Sequence, residues 1–524
     1  MPSYLSPGVY IEEVPSGSAA LSAGATAVAA FVGFTERAPT DDPSDPDGLK
    51  PRLVTNWAQF ENLYGGFTPN AMLAHAVYGY FNNGGSMAYI VRVPNTEPAA
   101  EPSTLELAAT DNALGKAIEI TTKEPDPQRR LSVAIESVET EEEDAPEAFN
   151  LHVLDLGEAV ESHENVTLAA GDRNVETVVN AASERVQVAT KVKIDDAAVL
   201  AAATLKPGVF PMVAPAPLPV PVKPKSFAGN ETNRTGINGL VIAEDVTMVM
   251  VPDLVTAATQ EDGSVDLGMW KAVQTALISH CEGQANRMAI LDAPPGMSVQ
   301  QMKEWRSDVA MYDSQFAAMY FPWIKVDNPL ASNGGDAELL VPPCGHMAGI
   351  WARTDDTRGV WKAPANEVVR GALDVELGIT KTEQGLLNPI GVNCIRPFGT
   401  RGIRVWGART LSSDTDWQYI NVRRLFNMIE TTILNGTQWV VFEPNDMKLW
   451  QGVKRTLNAF LRGLWRDGAL FGATADQAFF VKCDAETNPP ESIDQGKLVV
   501  EVGIAPVKPA EFVIFRISQF KQTA

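Results

Sequence analysis

Two carboxylates make the best case for chemistry in this chain of 524 residues. Asp253 follows the apolar run Val246 to Val251, and Asp292 follows Arg287 to Leu291. Both runs read as buried strands of a parallel sheet, and such sheets place catalytic groups just past the carboxyl ends of their strands. Paired acids there are the raw material of proton transfer. Aspartate is equally favoured as the cap of a following turn or helix, and nothing else in the sequence assembles around these two. The capping reading is therefore preferred to an enzyme built on Asp253 and Asp292.

The other reactive residue types form no working pattern. No phosphate loop is present: Gly496-Lys497 runs into Leu498 and precedes a strand. Gly84-Gly85-Ser86-Met87-Ala88 lacks the last glycine of a nucleophile elbow. His163-Glu164 lacks the second histidine of a zinc-protease helix, and Cys344-Gly345-His346 offers two ligands with no second pair. The acidic loop Asp41 to Gly48 has Pro43 where the first calcium ligand would sit. Cys281, Cys344, Cys394 and Cys483 lie far apart and read as free buried thiols. No cofactor, no metal and no catalytic residue is expected.

One pattern points to binding. Over the helix expected from Met447 to Arg466, the residues Leu449, Trp450, Val453, Leu457, Phe460, Leu461 and Leu464 share one face. On the other side Lys448, Arg455 and Arg462 recur every seven residues, about two turns, and form a stripe of cations. Most such stripes are only solvated, but the net charge of −23 makes this one notable. The charge is uneven: residues 97–225 hold 11 Lys/Arg against 23 Asp/Glu, and residues 390–524 hold 16 against 13. The total excludes a general nucleic-acid binder, whereas the stripe suits an acidic partner.

These features need elements to position them. The expected fold class is α/β and α+β multidomain: a doubly wound parallel-sheet core, an inserted outer domain, and a C-terminal α+β domain with terminal strand arms. Residues 1–20 form an N-terminal arm whose Val9, Ile11 and Val14 have no strand partner nearby. Residues 21–96 and 226–370 form the core, with strands at Ala27 to Phe34, Ala88 to Val93, Val246 to Val251, Arg287 to Leu291 and Ala317 to Val326. Its helices are expected at Trp57 to Tyr64, Met72 to Phe81, Trp270 to Cys281 and Ser298 to Met311. Residues 97–225 read as an acidic surface insertion ending in the proline-rich tract Pro211 to Pro221. Residues 371–510 form the last domain, with strands at Ile403 to Trp406, Trp439 to Phe442 and Leu498 to Ile504, and helices Tyr419 to Leu434 and Met447 to Arg466. Residues 511–524 form a second arm, in which Phe512, Val513, Ile514, Phe515 and Ile517 put apolar side chains on both faces of a strand. Neither a signal peptide nor a membrane-length apolar run is visible, so synthesis in the cytoplasm is expected.

Long stretches resemble the sheath proteins of contractile phage tails and related injection systems. They include Ser6 to Val14 (SPGVYIEEV), Val341 to Asp355 (VPPCGHMAGIWARTD) and Arg358 to Asn366 (RGVWKAPAN). Further stretches are Asn388 to Asn393 (NPIGVN), Gly407 to Thr410 (GART), Asn421 to Leu425 (NVRRL), Trp439 to Asn445 (WVVFEPN) and Phe460 to Leu470 (FLRGLWRDGAL). The likeness covers residues 1–95 and 237–520 and leaves 97–225 unmatched. It implies a structural subunit, not an enzyme, that stacks in rings as a helical sleeve around an inner tube. Subunits of that family exchange terminal strands, meet the tube through the C-terminal domain, join baseplate and terminator proteins, and contract to drive the tube through an envelope. By that resemblance the stripe Lys448, Arg455 and Arg462 is an expected tube contact, with the helix carrying Arg423 and Arg424 as the alternative. Insertion into a membrane is not expected. The rival outside this family is a strand-swapped scaffold unrelated to tails.

Overall fold

The computed structural model of the chain describes residues 21, 24–39, 45, 48–69, 71–97, 102–110, 115–124, 131–138, 146–155, 157–191, 199, 202–212, 218–331 and 336–516. The expected arm residues Val9, Ile11 and Val14, together with Ile517, lie outside them, as do residues 213–217 of the proline-rich tract. The described chain divides into two compact units, one of residues 1–93 and 223–524 and one of residues 94–222.

The first unit is built on a mixed eight-stranded sheet. Its strands are β1 (Val28–Gly33), β2 (Arg52–Val54), β3 (Met87–Arg92), β4 (Met248–Met250), β5 (Met288–Asp292), β6 (Ala317–Phe321), β7 (Val392–Pro397) and β8 (Ile403–Trp406). The spatial order is β2-β3-β1-β4-β5-β6-β7-β8. The six inner strands pair in parallel, and β2 and β8 close the two edges antiparallel. Every residue of β1, β4, β5 and β6 is buried, as strands covered by helices on both faces require. Helices α1 (Trp57–Tyr64), α2 (Leu73–Asn82) and α4 (Cys344–Arg358) share a core with one face, where Phe31, Tyr80, Met250, Ile290, Tyr320 and Trp351 pack. Helix α3 (Leu267–Gln284) packs against β4 and β5.

Two expectations about this sheet need correction. The run Ala317 to Val326 is not one strand: it ends at Phe321, and Ile324–Asp327 joins a separate three-stranded antiparallel sheet with Glu338–Val341 and Ala372–Val375. Pro322 lacks the amide that would continue the ladder. The boundary drawn at residue 370 also falls inside the sheet's territory, because β7 and β8 extend it from Phe321 to Trp406.

The remainder of the first unit packs α5 (Ile420–Gly436), α6 (Met447–Arg466) and a two-stranded antiparallel sheet of β9 (Phe479–Lys482) and β10 (Glu501–Ile504) around one apolar cluster. Asp446 caps α6 by accepting the Leu449 amide at 2.8 Å. The expected strand Trp439 to Phe442 is instead a short 3-10 turn, Gln438–Val440. Trp439 and Val440 pack on the cluster, and Phe442 follows at φ 70° and fully exposed, so no ladder can form.

The second unit has its own core. A three-stranded sheet (Thr104–Ala108, Lys116–Thr122, Val186–Thr190) and a four-stranded sheet (Leu131–Ser137, Ala148–Asp155, Glu158–Thr167, Gly208–Pro211) are antiparallel and bury Ile118, Ile120, Val133, Phe149, Leu151 and Val166 together. Its connecting strands, Thr96–Glu97 and Leu218–Pro219, pair with each other.

Candidate assembly interface

Asp253 and Asp292 stand at the carboxyl ends of β4 and β5, where the topology would put an active site. The strand order reverses between β1 and β4, the usual ligand crevice of such sheets. Here the Asp253 side chain fills it. One oxygen accepts the Phe34 amide at 2.6 Å, just past β1, and the other accepts the Met72 amide at the head of α2. A Cβ on Gly33 would lie 2.2 Å from Asp253 Oδ2, so only glycine allows this approach. Asp292 accepts the Cys344 amide at 2.8 Å and so caps α4. Burial pushes both carboxyls up to about 7. The capping expectation holds in kind but not in place. Asp253 makes no side-chain cap to the short helix Leu254–Ala258 that follows it, and each acid ties down an element distant in sequence.

The four cysteines are buried and free, and Cys344 and His346 are both buried within α4. Among the described residues, no group of three or more His, Cys, Asp or Glu is placed to hold a metal ion. No helix among them is long and apolar enough to cross a membrane.

The surface is more informative. Phe512, Val513, Ile514 and Phe515 are 73%, 69%, 78% and 84% exposed. Residues 511–516 carry no secondary structure, so the expected strand is not formed within the subunit. The run expected as its hairpin partner contributes β10, which pairs with β9, Val481 opposite Val502. The β9–β10 sheet has only two strands among the described residues, and Phe480 on β9 and Phe471 beside it are themselves exposed. Sequence reasoning missed β9; its signal was the strand-favouring triplet Phe479-Phe480-Val481.

The stripe is open to solvent. Lys448, Arg455 and Arg462 are exposed along α6, while Leu449, Trp450, Val453, Leu457, Leu461 and Leu464 on its other face are buried. None of the three cations makes an ion pair or side-chain hydrogen bond among the described residues.

Comparison with known proteins matches residues 249–411 to the phage tail sheath protein central domain and residues 412–520 to the phage tail sheath C-terminal domain. These adjoining matches run from 249 to 520, over half of the chain. The chain belongs to the contractile tail sheath family. It is 28% identical over 255 residues to a prophage major tail sheath protein of Pseudomonas aeruginosa (strain UCBPP-PA14), covering 47% of this chain and 62% of that one. It is 29% identical over 230 residues to the tail sheath protein of Burkholderia phage BcepMu, covering 41% of this chain and 46% of that one. The aligned stretches thus span less than two thirds of these relatives. The anti-feeding prophage helical sheath in its contracted state, solved by cryo-EM, has the same fold with a TM-score of 0.56 and 25% identity, over 99% of this chain and all of that one.

Within this sheath chain the alternative carrier of a tube contact is corrected. Arg423 and Arg424 are buried, not displayed. Arg424 pairs with Asp355, and Arg423 bonds Glu430, Asn427 and Gln315. Their charges are used inside the subunit.

Proposed function

We propose that the chain is a structural sheath subunit that polymerises as a helical sleeve of stacked rings around an inner tube, exchanges strands with its neighbours, and contracts to drive the tube through a target envelope. The carrying observation is the apolar run Phe512–Phe515, exposed and without secondary structure, while β9–β10 has only two strands among the described residues. Two strands alone are marginal in water, and a donated strand would supply main-chain hydrogen bonds and cover the exposed rings. Head-to-tail donation that does not close gives a helix. The N-terminal arm, with Val9, Ile11 and Val14, is assigned the same role. The stripe Lys448, Arg455 and Arg462 is assigned to an acidic face of the tube, where weak screened pairs hold many subunits in register and still release. Residues 94–222 decorate the sleeve. Baseplate and terminator proteins are the further partners, and the working location is the assembled tail or injection particle.

The test is electron microscopy of the expressed protein with and without residues 512–524. The full chain should give hollow sleeves, and the shortened chain folded subunits without them. Sleeves of normal length from the shortened chain would refute strand donation, and small closed rings from the full chain would favour the scaffold reading.

A further inference from the structure

The chain does not leave the subunit freely at its C-terminal arm. It is fastened step by step. Phe471 N–H donates to the Ala505 carbonyl at 2.8 Å, and Val507 N–H to the Ala469 carbonyl at 3.3 Å. The Asn421 amide then donates to the Val507 carbonyl at 3.0 Å. Among the described residues, the last with a side-chain partner is Glu511. Arg409 grips its carboxylate at both oxygens, Nε to Oε1 at 2.9 Å and a terminal guanidinium nitrogen to Oε2 at 2.6 Å. The Asn388 amide donates to Oε1 at 2.6 Å and the Tyr419 hydroxyl to Oε2 at 3.2 Å. The very next residue is Phe512, 73% exposed.

Arg409 is itself held from inside. The Asn393 side chain, fully buried on β7, accepts the Arg409 amide at 2.7 Å and donates to its carbonyl at 2.8 Å. The same amide nitrogen also reaches the Met319 carbonyl on β6 at 3.1 Å. Gly407 makes room for this, since a Cβ there would lie 2.7 Å from Asn393 Oδ1. A connected set of hydrogen bonds therefore runs from β6 and β7 of the eight-stranded sheet through Asn393 and Arg409 to Glu511. Arg409 and Glu511 lie 102 residues apart in sequence.

We propose that Arg409 and Glu511, with Asn388 and Tyr419, form the fixed pivot from which the C-terminal arm is delivered to the neighbouring subunit, and that pull on the arm enters the core sheet through Asn393. This rests on the strand-donation reading. A bidentate guanidinium–carboxylate pair fixes direction as well as distance, which a single hydrogen bond does not. It thereby sets where the free strand begins and which residues reach the neighbour's sheet. Without it the chain would peel back toward Ala505, the donated strand would lengthen, and its register would be lost.

Hydrogen exchange on unassembled subunits and electron microscopy of sleeves test this together. Arg409→Met keeps the backbone that Asn393 holds. It should raise exchange at the Val507 amide at least about tenfold, the loss of a charge-assisted bond, with exchange in β6 and β7 unchanged. Its sleeves should be short or of mixed helical pitch. The reversed pair, Arg409→Glu with Glu511→Arg, should restore longer sleeves than either reversal alone, which a merely space-filling role would not do. Wild-type exchange at Val507 in Arg409→Met, or equal sleeves from the single and paired reversals, would overturn the pivot. Absence of sleeves from the unaltered chain would instead sink strand donation, and the exchange result would still decide the pivot.

Discussion

Arg424 on α5 reaches Asp355 on α4 through hydrogen bonds of 2.8 and 2.5 Å at a site where both side chains are only 4% exposed. The guanidinium also donates to the Thr26 carbonyl at 2.8 Å and lies 4.8 Å from the centre of the Trp351 ring. This pair joins the sheet's helical layer to the helices of the C-terminal region. Burial pushes the Asp355 carboxyl up, and the neighbouring Arg424 pulls it back down. Arg424→Met removes the second influence and leaves a buried acid unpaired, at a cost of about 3–5 kcal/mol. The acid can escape by taking up a proton, so the loss should be smaller at pH 5 than at pH 8. Urea denaturation of the subunit at both pH values measures it. An equal loss at the two values would mean that Asp355 stays charged.

Asp253 and Asp292 should respond differently to the same substitution. Asp253 uses both oxygens on backbone amides, so in Asp253→Asn the new amide must face one of those donors. The lost acceptor costs about 1–3 kcal/mol, in full below pH 4. The net loss should shrink as pH rises toward 7, because the Asp253 carboxyl, pushed up to about 7 in the fold, then destabilises the unaltered chain and not the variant. Asp292 needs one acceptor for Cys344, which asparagine keeps. Its carboxyl sits at about 7 in the fold against 3.8 ordinarily. Below pH 4 both states hold the proton and it contributes nothing. From 4 to 7 the unfolded chain releases it and the fold does not, so stability falls as pH rises. Asp292→Asn should flatten that fall, by up to ~1.4 kcal/mol per pH unit, and raise stability at pH 8 relative to the unaltered chain. Denaturation midpoints at pH 5, 6, 7 and 8 report it, and a parallel shift at all four would contradict the assignment.

The elements most legible in the sequence are those whose neighbours in sequence decide them. Helix α6 has the expected bounds because a strong apolar stripe coincides with an aspartate cap at its start. Strand β1 is legible because a run apolar on both faces has no other use than burial. The failures depend on what lies across the fold. Trp439 to Phe442 has strand-favouring residues but no partner ladder, and Phe442 turns out at positive φ. The cations Arg423 and Arg424 look like Lys448 and Arg455 on paper. Only the positions of Asp355 and Glu430 show that the first pair is spent internally. Glu511 was invisible for the same reason, although its partners Asn388 and Arg409 lie in stretches that carried the family likeness.

Changing Lys448, Arg455 and Arg462 together to glutamate should leave folding intact, because all three are exposed and unpaired among the described residues. Surface changes of this kind usually move stability by less than about 0.5 kcal/mol. Sheaths should fail to stay extended around tubes and accumulate as empty contracted sleeves. Raising the salt concentration should weaken attachment of the unaltered protein in the same direction. Normal extended particles from the triple variant would show that the stripe is only solvated.

Excising residues 94–222 should yield a subunit that still folds and polymerises. The segment buries its own apolar cluster, so its removal strands no half of a shared core. The ends left behind are each fixed within the first unit. Val93 N–H donates to the Gly33 carbonyl at 2.7 Å beside β1. After Lys223, the helix Pro224–Ala228 buries Phe227 completely. The two connections run side by side, since Thr96–Glu97 pairs with Leu218–Pro219 and Val220 N–H donates to the Asn95 carbonyl at 2.9 Å. A linker of a few glycines and serines therefore spans the gap at small entropic cost. The cut belongs at Val93 and Lys223 and not at Thr96 and Ser226, because Ser226 already caps the helix by accepting the Lys223 amide at 3.3 Å. The shortened subunit should unfold in one cooperative step and give thinner sleeves of normal length by electron microscopy. Aggregation of the subunit, or soluble subunits that form no sleeves, would make the insertion part of the assembling body.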